Sequence, residues 1–412
     1  MSTRIHTLRS CLLGCFLFAA ATGANAQTAV SFPSLAAARP DSLNAHVHAP
    51  EGAGPFPAVV LAHGCGGIGQ NVRNWARFLQ ARGYVALVLD SFSSRAISEI
   101  CTAPRLTLAD RVGDAYGALK YLQSLPNVDG RRVGMMGFSH GGMTTLKAIS
   151  ETTPFPLGGA PRFAAAIALY PDCLTSEVDA TVPLLIQSAA RDDWTLAAPC
   201  QSKSATRKAE GYPVDVEVIP NALHGFDISD APSYYYGATW RNMNKPKFCC
   251  GASIGYNAVA TNKAEQAAEA FFTRHLGAVE PASVRAWAPK SAPTKEDIVA
   301  LVKAARDFAA ANGREKLIEA INGLDERFRK RRVFLGLTDK QGIVLAHGML
   351  PVAMTGFDTA SAKDLDGRPI FGVFQAALEQ SPSWASMSSV FADTDIYVER
   401  LGEDLIQGYL IR

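Results

Sequence analysis

The chain has 412 residues, of which 48% are hydrophobic and 19% charged, and its formal net charge is +2. This length exceeds one ordinary domain and predicts two, with enough apolar residues for substantial cores. The near-neutral charge, without long basic runs or interleaved basic and aromatic residues, argues against a nucleic-acid partner.

The first 26 residues form a separate segment. Two arginines precede the short apolar run CLLGCFLFAAATG, and ANA is a small-residue cleavage pattern. We interpret residues 1–26 as a secretory signal peptide that is too short for a membrane span. A lipoprotein signal at Cys15 competes, but Arg9 lies only six residues before that cysteine. We expect a mature chain from about Gln27 that is periplasmic or secreted, with no membrane span.

Export changes what the cysteines imply. After signal cleavage six remain: Cys65, Cys101, Cys173, Cys200, Cys249 and Cys250. In an oxidising compartment this number suggests disulfides and leaves many connectivities open. The adjacent last two permit only a vicinal bridge or two free thiols. No paired Cys-x-x-Cys and no His-Glu-x-x-His pattern occurs, so we expect neither a metal site nor a cofactor.

Residues 27–276 alternate strand-like and helix-like segments. The predicted strands are LNAHVHAP, PAVVLAHG, YVALVLDSF, RRVGMMGFS, FAAAIALYP, VPLLIQSAA and VDVEVIP. The predicted helices are VRNWARFLQARG, LADRVGDAYGALKYLQSL, a polar helix around residues 196–210, and TNKAEQAAEAFFTRHLG. Unbroken apolar strands that alternate with helices predict an α/β fold, a mostly parallel sheet covered on both faces.

The hexapeptide GFSHGG places Ser139 between a predicted strand and a predicted helix. A Gly-x-Ser-x-Gly turn in this context holds a serine hydroxyl on a sharp elbow, where it can act as a nucleophile. The alternative is a flexible turn that contains a serine by chance. The strand before it and the helix-compatible segment after it favour the nucleophile.

Other polar groups also follow predicted strands. Asp192 and Asp193 come after VPLLIQSAA, and His224 comes after VDVEVIP. In open α/β sheets active groups gather at the carboxyl ends of strands. The chain order serine, acid, histidine is that of the α/β-hydrolase arrangement, in which imidazole activates the hydroxyl and a carboxylate orients the imidazole. The turn AHGCGG offers backbone N–H groups for a developing oxyanion.

The motifs LAHGCGG, LVLDSFSSR, GFSHGG, ARDDW and LHGFD resemble, in this order, those of the dienelactone hydrolase family of α/β-hydrolases. The resemblance implies Asp192 rather than Asp193 as the acid, and an oxyanion hole from the N–H groups of Cys65 and His140. The enzymes for which the family is named use a cysteine nucleophile, whereas this chain has Ser139. The resemblance therefore implies a serine hydrolase acting on some other ester or lactone.

The same resemblance makes certain strands neighbours and so implies disulfide pairs. FAAAIALYP and VPLLIQSAA would be adjacent, which places Cys173 and Cys200 at one edge near the acid. The strands before Cys65 and Cys101 would also be adjacent. We expect Cys173–Cys200 and Cys65–Cys101.

Two further features bear on substrate recognition. Arg95 follows YVALVLDSF at the predicted carboxyl edge, where a guanidinium could hold a substrate carboxylate. A solvated loop arginine is the alternative. Residues 228–260 contain a run of three tyrosines at positions 234–236, a tryptophan and two adjacent cysteines, and are longer than an ordinary connection. They form either a lid or a segment whose aromatic residues pack on the core.

Composition changes after residue 276. Residues 277–293 are rich in proline and alanine and read as a linker. Residues 294–412 begin with one long predicted helix, EDIVALVKAARDFAAANGREKLIEAING, followed by the hairpin VFLGLTDKQGIVLAH and the strands DIYVER and DLIQGYLIR. One helix followed by antiparallel hairpins predicts an α+β domain.

This second domain resembles single Cache (PAS-like) domains in GLTDKQGIVLAHGMLPVAMTGFDTASAKDLDGRPIF, Trp384 and YVERLGEDLIQGYLI. The resemblance implies a small ligand bound in the cup of the sheet, with His347 and Asp366 as turn and cup residues. Two hypotheses follow. The chain is an exported serine esterase with a ligand-binding module, or a binding protein whose hydrolase domain is a scaffold with little turnover.

Overall fold

A computed structural model describes residues 27–36, 41–153, 155, 162–277, 294–323, 325–330, 333–349, 351–364, 366–388 and 393–411. The predicted signal peptide and residues 278–293 of the predicted linker lie outside the described residues. The described chain contains two large sheets, each with apolar clusters on both faces, and a separate two-stranded hairpin.

The N-terminal sheet has eight strands in the described part of the chain, in the order β1-β2-β4-β3-β5-β6-β7-β8. The strands from β4 to β8 are parallel, whereas β1 pairs antiparallel with β2 and β2 with β4. Their bounds are β1 Gln27–Pro33, β2 Ser42–His48, β3 Phe56–Ala62, β4 Val85–Asp90, β5 Val128–Phe138, β6 Ala166–Leu169, β7 Leu184–Ala189 and β8 Val214–Ile219.

Helices cover both faces of this sheet. They are α1 Gln70–Gln80, α2 Leu108–Gln123, α3 His140–Ala148, α4 Ala197–Ala209 and α5 Ala258–Leu276. The apolar residues of α1 and α5 pack on one face, and those of α2 and α3 on the other. Thr107 and Asp110 form a capping box that fixes the start of α2. The predicted α/β fold with a mostly parallel sheet is confirmed.

Between β8 and α5 the chain forms a short hairpin. Its strands are β9 Tyr235–Gly237 and β10 Ala252–Ile254, which pair antiparallel, and a 3₁₀ turn at Pro246–Phe248 lies between them. The segment 228–260, predicted as a lid or a packed connection, therefore has structure of its own.

The C-terminal domain has an antiparallel sheet of six described strands in the order β11-β12-β16-β15-β14, with β13 paired to β12. Its elements are α6 Lys295–Asn312, α7 Arg314–Asn322, β11 Arg329–Lys330, β12 Val333–Thr338, β13 Val344–His347, α8 Pro351–Met354, α9 Ile370–Leu378, β14 Trp384–Ser388, β15 Asp393–Leu401 and β16 Asp404–Ile411. In the described ranges no helix is long and apolar enough to cross a membrane.

The single long helix predicted at the start of this domain is wrong. Gly313, with φ 90°, ends α6 and begins α7, because glycine accepts a positive φ that turns the chain. The two shorter helices then pack on one face of the sheet. α6 lies so close to β16 that a Cβ on Gly408 would be 2.3 Å from the Ile298 side chain.

Candidate active site

Ser139 lies at the sharp turn between β5 and α3. Its backbone has φ 53° and ψ −116°, a conformation that residues with side chains rarely adopt. Flanking glycines permit the turn. A Cβ on Gly137 would lie 2.0 Å from the carbonyl oxygen of Gly141, and one on Gly141 would lie 1.9 Å from that of Ala62. The turn therefore holds the Ser139 hydroxyl at the carboxyl edge of the sheet.

His224 follows β8 and lies between Ser139 and Asp192. Its Nε2 is 2.9 Å from Ser139 Oγ, and its Nδ1 is 2.7 Å from Asp192 Oδ2. Both His224 and Asp192 are buried. The rings of Tyr170 and Trp194 contact the imidazole, with centroids 4.7 and 4.9 Å away. Hydroxyl, imidazole and carboxylate thus form one hydrogen-bonded chain.

The two adjacent aspartates have different partners. Asp192 Oδ1 accepts the N–H groups of Trp194 and Thr195, each at 2.8 Å, which orients the carboxylate toward His224. Asp193 accepts the N–H and the hydroxyl of Ser253 at 2.8 and 3.0 Å. The structure therefore brings Asp192 to the imidazole, while Asp193 ties the same loop to β10.

The loop after β3 passes beside Ser139, since a Cβ on Gly64 would lie 3.6 Å from that of Ser139. Burial, together with the nearby Arg111, lowers the pKa of His63 to about 3, so this ring is neutral. His63 Nε2 accepts the Ser91 N–H at 3.3 Å, and Nδ1–H therefore donates to the Gly64 carbonyl at 2.7 Å. These bonds order the peptide that precedes Cys65.

Residues 43–276, more than half of the chain, match the profile of the dienelactone hydrolase family. The chain belongs to this family. A provisionally named carboxymethylenebutenolidase of Synechocystis is 24% identical over 204 residues, which cover 45% of this chain and 81% of that protein.

Two solved structures are also similar to this dienelactone hydrolase family member. The dienelactone hydrolase of Anabaena variabilis is 18% identical with a TM-score of 0.42, over 61% of this chain and 98% of that chain. A dienelactone hydrolase-like promiscuous phosphotriesterase from metagenomic libraries is 21% identical with a TM-score of 0.45, over 61% of this chain and 99% of that chain.

A cavity of about 110 Å³ opens beside the serine of this family member. Cys65, Ser139 and His140 form part of its wall, so the two expected oxyanion donors and the hydroxyl share one space. The remaining wall is mainly apolar and includes Ile100, Pro104, Leu106, Met143, Met243 and Phe248. This lining suits a small apolar group.

Arg95 does not line this cavity. Its side chain is only 3% exposed and donates to Asp114 at 2.7 and 2.9 Å and to Asp41 at 2.6 Å. The expectation that Arg95 binds a substrate carboxylate is therefore corrected, because its guanidinium is already paired with two carboxylates of this chain. The sequence could not show this, because the partners come from distant parts of the chain.

Arg241 is the cation that sequence reasoning missed. It lines the cavity with its guanidinium 4.8 Å from the Phe248 ring centroid, and no described carboxylate forms an ion pair with it. Burial lowers its pKa. Its backbone is tethered, since its N–H donates to the Cys101 carbonyl at 3.1 Å and its carbonyl accepts the Trp194 indole N–H at 2.8 Å.

The six cysteines described by the structure form three disulfides: Cys65–Cys101, Cys173–Cys200 and Cys249–Cys250. The structure thus contains both pairs expected from the sequence, and the adjacent cysteines are bridged. The first disulfide forms part of the cavity wall. The second joins the segment after β6 to α4, which follows the Asp192 loop.

The segment 228–260 covers the site. Trp240 stacks on Trp194 with ring centroids 4.8 Å apart and planes at 6°. Phe248, which lines the cavity, also meets Phe357 of the C-terminal domain edge to face at 5.9 Å. Tyr234, Tyr235 and Tyr236 are exposed and do not pack on the core. The segment is therefore a cavity wall that contacts both domains.

Proposed function

We propose that this protein is a serine hydrolase that cleaves a carboxylic ester or lactone through an acyl-enzyme on Ser139. The observation that carries the proposal is the chain of contacts from Ser139 Oγ to His224 at 2.9 Å and from His224 to Asp192 at 2.7 Å. A serine hydroxyl is a weak nucleophile, and an imidazole in hydrogen-bond contact supplies the base it needs.

In the proposed reaction, His224 Nε2 takes the proton of Ser139 as Oγ bonds to the substrate carbonyl carbon. Asp192 keeps the imidazole in the required tautomer and stabilises the charge it gains. The backbone N–H groups of Cys65 and His140 donate to the oxygen that becomes negative. His224 then protonates the leaving alkoxide. A water molecule, deprotonated by His224, then attacks the acyl carbon. His224 returns that proton to Ser139 Oγ as the acyl–oxygen bond breaks and the acid leaves.

The cavity indicates the class of substrate. Its apolar wall favours a small hydrocarbon group, and Arg241 provides a cation without a carboxylate partner among the described residues. A guanidinium in this setting would bind an anionic substituent of the substrate. We therefore propose an ester or lactone that carries both features. Because Ser139 replaces the cysteine of the enzymes that name the family, dienelactone itself is not proposed.

A fluorophosphonate probe and a panel of activated esters and lactones test the proposal. The wild-type protein should be labelled and turn over members of the panel, and Ser139→Ala should do neither. Ser139→Ala and His224→Ala should each lower kcat on the order of 10⁴-fold or more, and the double variant little further, because the residues act as one unit. A folded wild-type protein that is neither labelled nor active would refute the proposal.

The alternative is a binding protein whose hydrolase domain has little turnover. It predicts an unreactive Ser139, so the same labelling experiment separates the two. The strained elbow, the buried relay and the adjacent cavity support the enzyme, because a scaffold does not require Ser139 in a backbone conformation with positive φ.

We further propose that the C-terminal domain is a Cache-like module that binds a small ligand. The sheet face beneath α9 carries stacked rings, Phe334 and Tyr409, 4.8 Å apart. On the same strand as Tyr409, Gln407 is fully buried, and its Oε1 lacks a hydrogen-bond partner within the described structure. A thermal-shift screen of small polar metabolites should find a stabiliser that Gln407→Leu no longer responds to. Equal stabilisation of both proteins would refute this face as the site.

Export is part of the proposal. The N-terminal sequence pattern supports it, as do three disulfides, since such bonds persist in oxidising compartments. N-terminal sequencing of the protein recovered from the periplasm or medium should begin near Gln27. Recovery of the whole chain only in the cytoplasm would refute export.

A further inference from the structure

A buried arginine, Arg111 on α2, has no role in the proposed mechanism. Its side chain is 1% exposed, and no described carboxylate lies within ion-pair distance of its guanidinium. The nearby charges are Asp114, Asp90 and Arg95. Burial lowers the pKa of Arg111 to about 10, so the group stays charged at neutral pH. A buried cation without a carboxylate contact destabilises the fold, which calls for a reason.

Arg111 contacts both halves of the proposed oxyanion hole. Its Nη2 donates to the carbonyl oxygen of His63 at 2.7 Å, just ahead of the loop that carries the Cys65 N–H. Its Nη1 lies 2.9 Å from Nδ1 of His140, the residue that carries the other N–H. One rigid guanidinium therefore links the β3 loop to the first residue of α3.

The hydrogen bonds of the two rings fix their tautomers, that of His140 through Arg111 and that of His63 through the Ser91 N–H. Burial, with Arg111 beside it, lowers the pKa of His140 well below its ordinary value, so the ring is neutral. Arginine only donates, so His140 Nδ1 accepts and the ring proton is on Nε2. His63 has the opposite tautomer and donates from Nδ1 to the Gly64 carbonyl. In a trans peptide the next N–H, that of Cys65, points away from that carbonyl.

We propose that Arg111 is a positioning residue that holds the N–H donors of Cys65 and His140 at the spacing required by the negative oxygen of the transition state. The inference rests on the proposed serine-hydrolase function, because an oxyanion forms only if Ser139 attacks a carbonyl. In this proposal the helix α2 contributes to the oxyanion hole, in addition to the β3 loop and α3, which carry the two donors.

The test compares Arg111→Met, Arg111→Lys and wild type on one activated ester. Removing a single oxyanion-hole donor lowers kcat by roughly 10²–10³-fold, so a misplaced hole should lower it about 10- to 100-fold. KM should change less than about threefold. The affinity for a trifluoromethyl ketone, whose serine adduct carries the oxyanion, should fall with kcat/KM. Affinity for the product acid should not change, and Arg111→Lys should restore part of kcat.

Arg82 provides a matched control. It is an arginine on the surface, paired with Glu269 at 2.7 Å, and Arg82→Met should have wild-type kinetics. A folded Arg111→Met protein with wild-type kcat and ketone affinity would overturn the inference. If that variant does not fold, His140→Ala serves instead, since it removes the ring held by Arg111 and keeps the peptide N–H. A tenfold fall in kcat would support the inference, and unchanged kcat would overturn it. Failure of the wild type to turn over any ester would refute the proposed function instead.

Discussion

His224 and His347 are both buried beside aromatic rings, but they belong to different domains and have different surroundings. His224 contacts a carboxylate on one side and a hydroxyl on the other. His347 lies against the rings of Phe334 and Tyr409, at 5.0 and 5.8 Å, and burial lowers its pKa to about 3. Burial alone therefore does not distinguish a candidate catalytic histidine.

The difference follows from the topology of the two sheets. In the parallel part of the hydrolase sheet, β5, β7 and β8 all end at the same edge, so the loops with Ser139, Asp192 and His224 converge. In the antiparallel C-terminal sheet, successive strands end at opposite edges, and His347 lies at the end of β13, opposite Gly336 of β12. A parallel sheet thus collects polar groups that an antiparallel sheet separates.

The largest effect is expected from Asp192→Asn. The amide favours the wrong imidazole tautomer, so kcat should fall on the order of 10⁴-fold. Asp193→Asn is the matched control, because Asp193 binds Ser253 and not His224. Steady-state kinetics on one ester measure both variants. The reverse ranking would assign the acid to Asp193.

Disulfides separate the domains in stability. All six cysteines described by the structure are in the hydrolase domain, and the Cys173–Cys200 bond spans 27 residues. Replacing that pair by serine should lower the free energy of unfolding of this domain by roughly 3–4 kcal/mol in the chain-entropy model. Denaturant unfolding of the two domains measures it, with the C-terminal transition as internal control. Equal shifts in both unfolding transitions would show that this disulfide does not stabilise the hydrolase domain alone.

Selectivity should depend on Arg241. A hydrogen bond to a charged group contributes about 1.5–3 kcal/mol, so Arg241→Met should lower kcat/KM for a carboxylate-bearing ester roughly 10- to 100-fold. The kcat/KM of Arg241→Met for a neutral ester of matched size should change little. Arg95→Lys, away from the cavity, should keep the wild-type ratio between the two esters. A variant at Arg241 with the same ratio would remove it from substrate recognition.

Acid should destabilise the C-terminal domain through His347. Its pKa is about 3 when folded and near 6.5 in an unfolded chain, so the unfolded state binds more protons between these values. The free energy of unfolding should therefore fall as pH drops below about 6.5, by at most about 1.4 kcal/mol per pH unit from this group. His347→Gln should flatten this dependence for the C-terminal transition only. If His347→Gln leaves the pH dependence of the free energy of unfolding unchanged, His347 is not its cause.

The smallest effect tests whether the domains are independent in catalysis. Phe357 supports Phe248 in the cavity wall, so Phe357→Ala should raise KM about threefold, the size expected from an aromatic pair contact, with kcat nearly unchanged. Phe308→Ala, in the same domain but packed on Phe328, is the control. Identical KM values for both variants and wild type would show that the C-terminal domain does not influence the site.

The sequence alone predicted the parts of this protein that depend on local pattern. Apolar runs between helical segments predicted the parallel sheet, and GFSHGG predicted the elbow, because only glycine fits two residues before and two residues after Ser139. The order serine, acid, histidine at strand ends predicted which side chains could meet. Each of these signals lies within a few residues of the group it concerns.

Tertiary structure decided what depends on partners distant in sequence. The sequence does not distinguish three arginines that have different surroundings in the fold. Arg95 is paired with carboxylates, Arg111 contacts the proposed oxyanion loops, and Arg241 lines the cavity. Their roles differ because the free energy of a buried cation depends on which groups the fold brings within hydrogen-bond distance. The break at Gly313 was also missed, since the apolar pattern continues across it and only packing on the second sheet requires the turn.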